Sequence, residues 1–176
     1  MKLVIINGPT GVGKSTVAKL LHQEMPMSFL LDVDEQRRHL SHYRDHREES
    51  GKLCHAVGQA IVRTCFAHGR DVIIEKLILK DEILDAYRAI ADENRATNHE
   101  YILWAPKQLV LDRAHARGWR PDGLLTPEKC ELFWDRMDAF KGTRRQAKIL
   151  DITTMDPEQV KDAMVKKIQQ FIMSQP

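Results

Sequence analysis

Gly8-Pro9-Thr10-Gly11-Val12-Gly13-Lys14-Ser15 decides how this chain is read. A glycine, four intervening residues and then Gly-Lys-Ser is the spacing of a phosphate-binding loop. The glycines let successive backbone N–H groups turn inward around phosphate oxygens. An apolar run at residues 3–6 leads into the motif, and the amphipathic pattern of Val17, Ala18, Leu20 and Leu21 follows it. The context is therefore strand, loop, helix, and the helix N-terminus adds its dipole to the anion site. In such a loop Gly8, Thr10, Gly11, Val12, Gly13, Lys14, Ser15 and Thr16 surround a triphosphate. Lys14 bridges the β- and γ-phosphates and the Ser15 hydroxyl is a Mg²⁺ ligand. Asn7, Asn94 and Asn98 are the only asparagines and none precedes lysine, so the guanine-reading Asn-Lys-x-Asp sequence does not occur. The expected cofactors are ATP and Mg²⁺.

Further along, short apolar runs recur at residues 29–33, 72–74, 101–104 and, more weakly, 149–153. The first of these and residues 3–6 and 72–74 are near-continuous rather than alternating, as for strands covered on both faces. Helical patterns lie between them. Ile83, Leu84, Tyr87, Ile90 and Ala91 form one stripe, and Val160, Met164, Ile168 and Phe171 another, opened by Asp156 and Pro157. Thr126-Pro127-Glu128 starts a further helix. Strands alternating with helices predict an α/β fold of three layers around a mainly parallel, five-stranded sheet. The 176 residues suit a single domain. Ligands of such sheets bind beyond the carboxyl ends of the strands.

Two acids, Asp32 and Asp34, close the second run. Two residues apart on a strand, they share a face. Asp34 is the candidate to orient or deprotonate an attacking hydroxyl, with a helix cap for residues 35–40 as its alternative; Asp32 is placed to hold a Mg²⁺-bound water. Glu75 ends the third run and suits a carboxylate near Mg²⁺ or substrate, or a partner for Lys14 or Lys76. Arg37, three residues after Asp34, is a candidate substrate contact, whereas residues 35–49 as a whole carry balanced charge and read as a solvated helical segment. Arg113 and Arg117 share a helix face, and Gly118, Pro121 and Gly123 then break the helix. This predicts a lid at about residues 113–126, with Arg117 and Arg120 as catalytic cations over the transferring phosphate. Arg136, between Trp134 and Met137, is a further candidate for substrate.

Composition narrows the partners. Apolar residues are 43% and charged residues 30%, which excludes wholesale disorder. No run approaches the roughly 20 apolar residues of a membrane helix, and the short N-terminal run predicts no signal peptide. Cys54, Cys65 and Cys130 form no CxxC pair, which suits a reduced, cytoplasmic protein. The formal charge of +2 argues against broad nucleic-acid binding and leaves a local basic site open.

With these residues in place, the chain resembles the nucleoside-monophosphate-kinase-like P-loop kinases, near shikimate kinase, gluconate kinase and chloramphenicol phosphotransferase. The loop at residues 8–15 carries most of the resemblance. Asp32 and Asp34 are similar to a family pair in which one acid assists Mg²⁺ and the other meets the substrate hydroxyl. Arg120-Pro121 followed by Arg136 resembles the family's phosphate- and substrate-binding arginines. By the same resemblance Arg113 packs on adenine and residues 153–157 form the adenine loop. Glu75-Lys76-Leu77 stands where shikimate kinase has three glycines. Asp34-x-x-Arg37 and the Arg113/Arg117-Gly118 segment also resemble the 5′-hydroxyl polynucleotide kinases. The implied activity is ATP-dependent phosphorylation of a small-molecule hydroxyl. A kinase of nucleic-acid ends, with Trp119 as a stacking residue, and a slowly hydrolysing nucleotide switch are the alternatives.

Overall fold

A computed structural model describes residues 1–118 and 126–173, with side chains to residue 170. The first strand, β1 (Lys2–Asn7), is buried from Leu3 onward, and the phosphate loop joins it to α1 (Lys14–Gln23). There follow β2 (Phe29–Asp32), α2 (Val33–Arg38), α3 (Arg47–Ala67), β3 (Val72–Glu75) and α4 (Asp81–Glu93). The remainder is β4 (Thr97–Trp104), α5 (Lys107–Ala116), α6 (Pro127–Thr143), β5 (Lys148–Asp151) and α7 (Pro157–Met173).

The five strands form one sheet in the order β2-β3-β1-β4-β5, and every pairing is parallel. Side chains alternate across β1 as the pleat requires. Val4 and Ile6 join one apolar layer with Ala18 and Leu21 of α1, Val110 of α5 and Val160 and Met164 of α7. Leu3 and Ile5 join the opposite layer with Val62 and Phe66 of α3 and Leu84, Tyr87 and Ile90 of α4. Both faces are thus covered, which explains the near-continuous apolar runs. The fold is the expected three-layer α/β arrangement, with an all-parallel sheet.

Several boundaries differ from expectation. The second strand stops at Asp32, because the Asp32 carboxylate accepts hydrogen bonds from the N–H groups of Asp34 and Glu35, at 2.9 and 3.0 Å, and caps α2. Asp32 and Asp34 therefore do not share a strand face: Asp32 is the cap and Asp34 stands in the first helical turn. The segment at residues 35–49 is broken as well, α2 ending at Arg38 and α3 starting at Arg47. Thr126 caps α6, its hydroxyl accepting from Lys129 N. At α7, Asp156 and Gln159 exchange side-chain and backbone hydrogen bonds at 2.9 Å each, a reciprocal cap.

Candidate active site

Register brings the site together. Ile6 of β1 and Asp32 of β2 both sit opposite Glu75 of β3. The residues that follow these three strands consequently meet at one end of the sheet, beside β1, where the strand order reverses. Asn7 pins this junction. Fully buried, its side-chain carbonyl accepts from the N–H groups of Gly8 and Ile78, and its amide donates to the Ile78 carbonyl at 2.8 Å. The phosphate loop and the segment after β3 are thereby tied to one side chain.

The loop is packed too tightly for side chains at two of its glycines. A Cβ at Gly8, where φ is +143°, would lie 2.5 Å from the Leu103 carbonyl oxygen; at Gly11, φ +96°, it would lie 2.8 Å from that of Val110. Val12 is buried against the core. Gly13 caps α1, its carbonyl accepting from Thr16 and Val17 N–H at 3.1 Å, so the positive end of the helix dipole faces the loop. Thr10 lies in the turn before Gly11, and Thr16 is exposed in the first turn of α1.

Lys14 is buried, and its ammonium donates to the carbonyls of Gly8 and Pro9 at 3.0 Å each. Burial lowers its pKa to about 8; Glu75 and Asp34 oppose that shift, and Arg117 and Lys76 add to it. The Ser15 hydroxyl donates to the Glu75 carboxylate at 2.8 Å. Burial raises the Glu75 pKa, against the pull of Lys14 and the Ser15 hydrogen bond. Asp34, largely exposed, is bonded to Lys76, whose side chain is nearly buried. The geometry therefore groups Lys14, Ser15, Glu75, Lys76 and Asp34, with Asp32 beside them.

On the other side of the loop a cavity of about 480 Å³ is lined by Val12, Gly13, Val17, Arg113, residues 152–157 and Val160. Arg113 and the segment after β5 thus share one cavity next to the phosphate loop. Arg117 caps α5 and is close enough to Lys14 to depress its pKa. Arg120 and Trp119 lie outside the described residues, as do residues 121–125 of the segment expected to form the lid.

Neither remaining candidate arginine is bonded to this group among the described residues. Arg37 turns to α3, donating to Ser50 Oγ at 2.9 Å and to the Arg47 carbonyl, with its guanidinium 5.6 Å from the Tyr43 ring centre. Arg136 is exposed on α6, one residue after Asp135, which pairs with Lys107. Sequence reading left Lys76 as a partner for Glu75, whereas it holds Asp34. Its one signal was its place just beyond a buried strand. Asn7 carried the same signal at the end of β1.

A family model described as an AAA domain matches residues 3–130, from β1 into α6. No curated protein matches the chain. Among solved structures, the tunicamycin resistance protein of Deinococcus radiodurans superposes with a TM-score of 0.67 at 16% identity, over 96% of each chain. A gluconokinase from Sinorhizobium meliloti superposes at 0.65 and 16% identity, over 99% of this chain and 98% of that one. A sugar kinase from Janibacter does so at 0.62 and 16% identity, over 96% and 95%. The fold is that of the P-loop kinases named from the sequence, and the chain belongs to the AAA domain family.

Proposed function

We propose that the chain is a phosphotransferase that moves the γ-phosphoryl group of ATP to a hydroxyl of a small molecule, acting as one kinase-like domain with a lid at about residues 113–126. The observation that carries this reading is the Asp34–Lys76 pair beside Lys14, Ser15 and Glu75. A nucleotide switch needs the phosphate loop but has no use for a carboxylate held at the phosphate end by a lysine. The nucleotide's phosphates would lie on residues 8–16 and its base in the cavity lined by Arg113 and residues 152–157. Two of the similar structures are named as small-molecule kinases, a gluconokinase and a sugar kinase.

The roles follow from electrostatics. Phosphoryl transfer asks little covalent chemistry of a protein, so catalysis is positioning and charge stabilisation. Lys14 leaves its two loop carbonyls and meets the phosphates. Asp34, aimed by its bond to Lys76, accepts the proton of the attacking hydroxyl. Arg117 and Arg120 stabilise charge on the transferred group. Substrate contacts come from Asp34 and Glu75, with Arg136 from α6 and Arg37 acting through Ser50 and the start of α3. The Ser15 hydroxyl and the Glu75 carboxylate, 2.8 Å apart, are hard oxygen donors that fit Mg²⁺, with Asp32 next to them. When bound, Mg²⁺ neutralises phosphate charge and helps align the triphosphate.

The experiment is ADP release from ATP and Mg²⁺ with and without hydroxylated probes: sugars, sugar acids, nucleosides, aminocyclitols and 5′-hydroxyl oligonucleotides. One small-molecule class should stimulate release at least about tenfold and yield a phosphorylated product. Asp34→Asn should lower that transfer by roughly 10²–10⁴-fold while nucleotide affinity changes little. Acceptor-independent turnover, or full transfer by Asp34→Asn, would overturn the reading. A second reading, phosphorylation of a nucleic-acid 5′ end, is favoured by Tyr43. Its ring has Arg37 and Arg44 at 5.6 and 5.7 Å beside an open cleft, an arrangement that suits a stacked base.

A further inference from the structure

Asn7 closes a strand whose residues 3–6 are apolar and fully buried, and it is fully buried itself. Packing alone would be served as well by a leucine. The amide instead serves three backbone groups. Its Oδ1 accepts from the N–H groups of Gly8 at 2.8 Å and Ile78 at 3.0 Å, and its Nδ2 donates to the Ile78 carbonyl at 2.8 Å. Toward Ile78 the side chain thus offers one carbonyl and one N–H, as a peptide unit of a neighbouring strand would. A leucine would leave all three backbone groups buried and unpaired.

This surrogate pairing stands where the sheet ends. The β1–β3 ladder closes with Ile6 opposite Glu75 and with Lys76 N–H donating to the Ile6 carbonyl at 3.2 Å. Residues 76–80 then run without regular structure to α4. Lys76 opens that segment and is bonded to Asp34, and the buried Ile78 side chain packs in the layer under α3 and α4. Gly8 is clasped from both sides: Asn7 takes its N–H, and its carbonyl accepts from the Lys14 ammonium at 3.0 Å. The Leu103 backbone crowds it so closely that a Cβ would stand 2.5 Å from that carbonyl oxygen, so Gly8 has little room to absorb a change by itself. Hydrogen bonds and short backbone steps therefore run without a break from Lys14 through Gly8, Asn7 and Ile78 to Lys76 and Asp34. One end of this series has two states. The Lys14 ammonium can serve the Gly8 and Pro9 carbonyls or turn to a nucleotide's phosphates.

We propose that Asn7 is a positioning residue that couples the two halves of the site. Transfer of Lys14 from the Gly8 carbonyl to a nucleotide's phosphates shifts Gly8 against Asn7, and Asn7 hands that shift to the segment carrying Lys76, and so to Asp34. Nucleotide thereby prepares the acceptor side. The acceptor binds more tightly to the nucleotide-loaded protein than to the nucleotide-free one, and by linkage it tightens nucleotide binding by the same factor. What the prepared side receives rests on the phosphotransferase reading; the relay itself requires only nucleotide.

The test uses the whole chain and the ATP analogue adenylyl imidodiphosphate with Mg²⁺, which occupies the loop without transfer. Backbone amide resonances and hydrogen exchange are followed by NMR in the phosphate loop and at residues 77–80. In the parent, saturating analogue should move both groups of resonances and slow exchange of the Ile78 N–H at least about fivefold. Asn7→Ser supplies one short hydroxyl that cannot serve Gly8 and both groups of Ile78. Asn7→Asp keeps the shape and the accepted bonds and loses the donation to Ile78, which protects the test should the serine variant not fold. In either variant the loop should still respond to saturating analogue, while the response at residues 77–80 falls at least about threefold. A merely structural Asn7 would lower stability and leave the two responses together. With an acceptor that stimulates ADP release, Asn7→Asp should raise acceptor KM at least about fivefold and leave KM for ATP within about twofold. Equal responses at residues 77–80 in parent and variant, no response there in a parent whose loop does respond, or an unchanged acceptor KM each overturns the proposal, and acceptor stimulation would then leave the phosphotransferase reading standing. A response at residues 77–80 that is lost in the variants, with no acceptor stimulating ADP release, keeps the relay and removes the phosphotransferase reading. An analogue that moves not even the loop removes both.

Discussion

At the scale of single residues, Lys14 is held between two demands. It is buried among the loop carbonyls and still has to carry charge to a polyanion. Burial lowers its pKa from 10.5 to about 8. Between those two values the unfolded chain holds a proton that the folded chain has released. Stability therefore rises with pH across that window, and the cost of the buried cation is fully present below about pH 8. A bound triphosphate reverses the balance by favouring the charged form. Nucleotide binding at pH 9 should take up close to one proton, and at pH 7 almost none. Calorimetry in buffers of different ionisation enthalpy measures this directly. No uptake at pH 9 would mean that Lys14 does not meet the phosphates.

Elements show where sequence and structure part. The phosphate loop was legible because its glycines, lysine and serine must sit at fixed spacing, and β1 and β3 because burial on both faces leaves them nearly all apolar. The beginning of β4 was hidden. Thr97, Asn98, His99 and Glu100 look like a loop, yet they pair with Lys2, Leu3, Val4 and Ile5 of β1. Glu100 is buried because Arg144, at the end of α6, reaches it with two nitrogens at 2.9 Å and also binds Asp81 and Asp85 of α4 at 2.8 Å. No local pattern announces a partner 44 residues away. The start of α2 was misread for a related reason: Asp32 is both a strand end and a cap, and only the observed hydrogen bonds separate the two. In the site, the loop residues follow from the motif, whereas Lys76 bonds Asp34 rather than Glu75, a choice of partner that depends on packing between distant elements. The Arg144 cluster also makes an energetic statement. Removing the cation leaves a buried carboxylate unpaired, so Arg144→Met should cost about 3–5 kcal/mol in urea unfolding. Adding Glu100→Gln should recover a large part of the loss. A single variant as stable as the parent would mean that the cluster contributes nothing to holding α6, α4 and β4 together.

For the molecule as a whole, charge decides between the two kinase readings. The net charge is +2, and many of the cations are already engaged. Arg144 is enclosed by three acids, Arg38 pairs with Glu35, Arg63 with Glu93 and Arg88 with Asp92. Lys161 faces Glu24, Glu158 and Asp162. Among the described residues no helix is long and apolar enough to cross a membrane. A nucleic-acid end needs cations free to follow several phosphates, and their release of counterions makes binding steeply dependent on salt. A small uncharged acceptor held by hydrogen bonds at Asp34 releases few. Raising salt from about 50 to about 200 mM should therefore change KM for a stimulating uncharged small-molecule acceptor by less than about threefold, where a protein with 6–10 phosphate contacts loses about 10³–10⁵ in affinity. The same titration with a 5′-hydroxyl oligonucleotide gives the contrast. Stimulation by the oligonucleotide that collapses with salt would move the acceptor site to Tyr43 and its flanking arginines. A small-molecule response that stays nearly flat would keep it at Asp34.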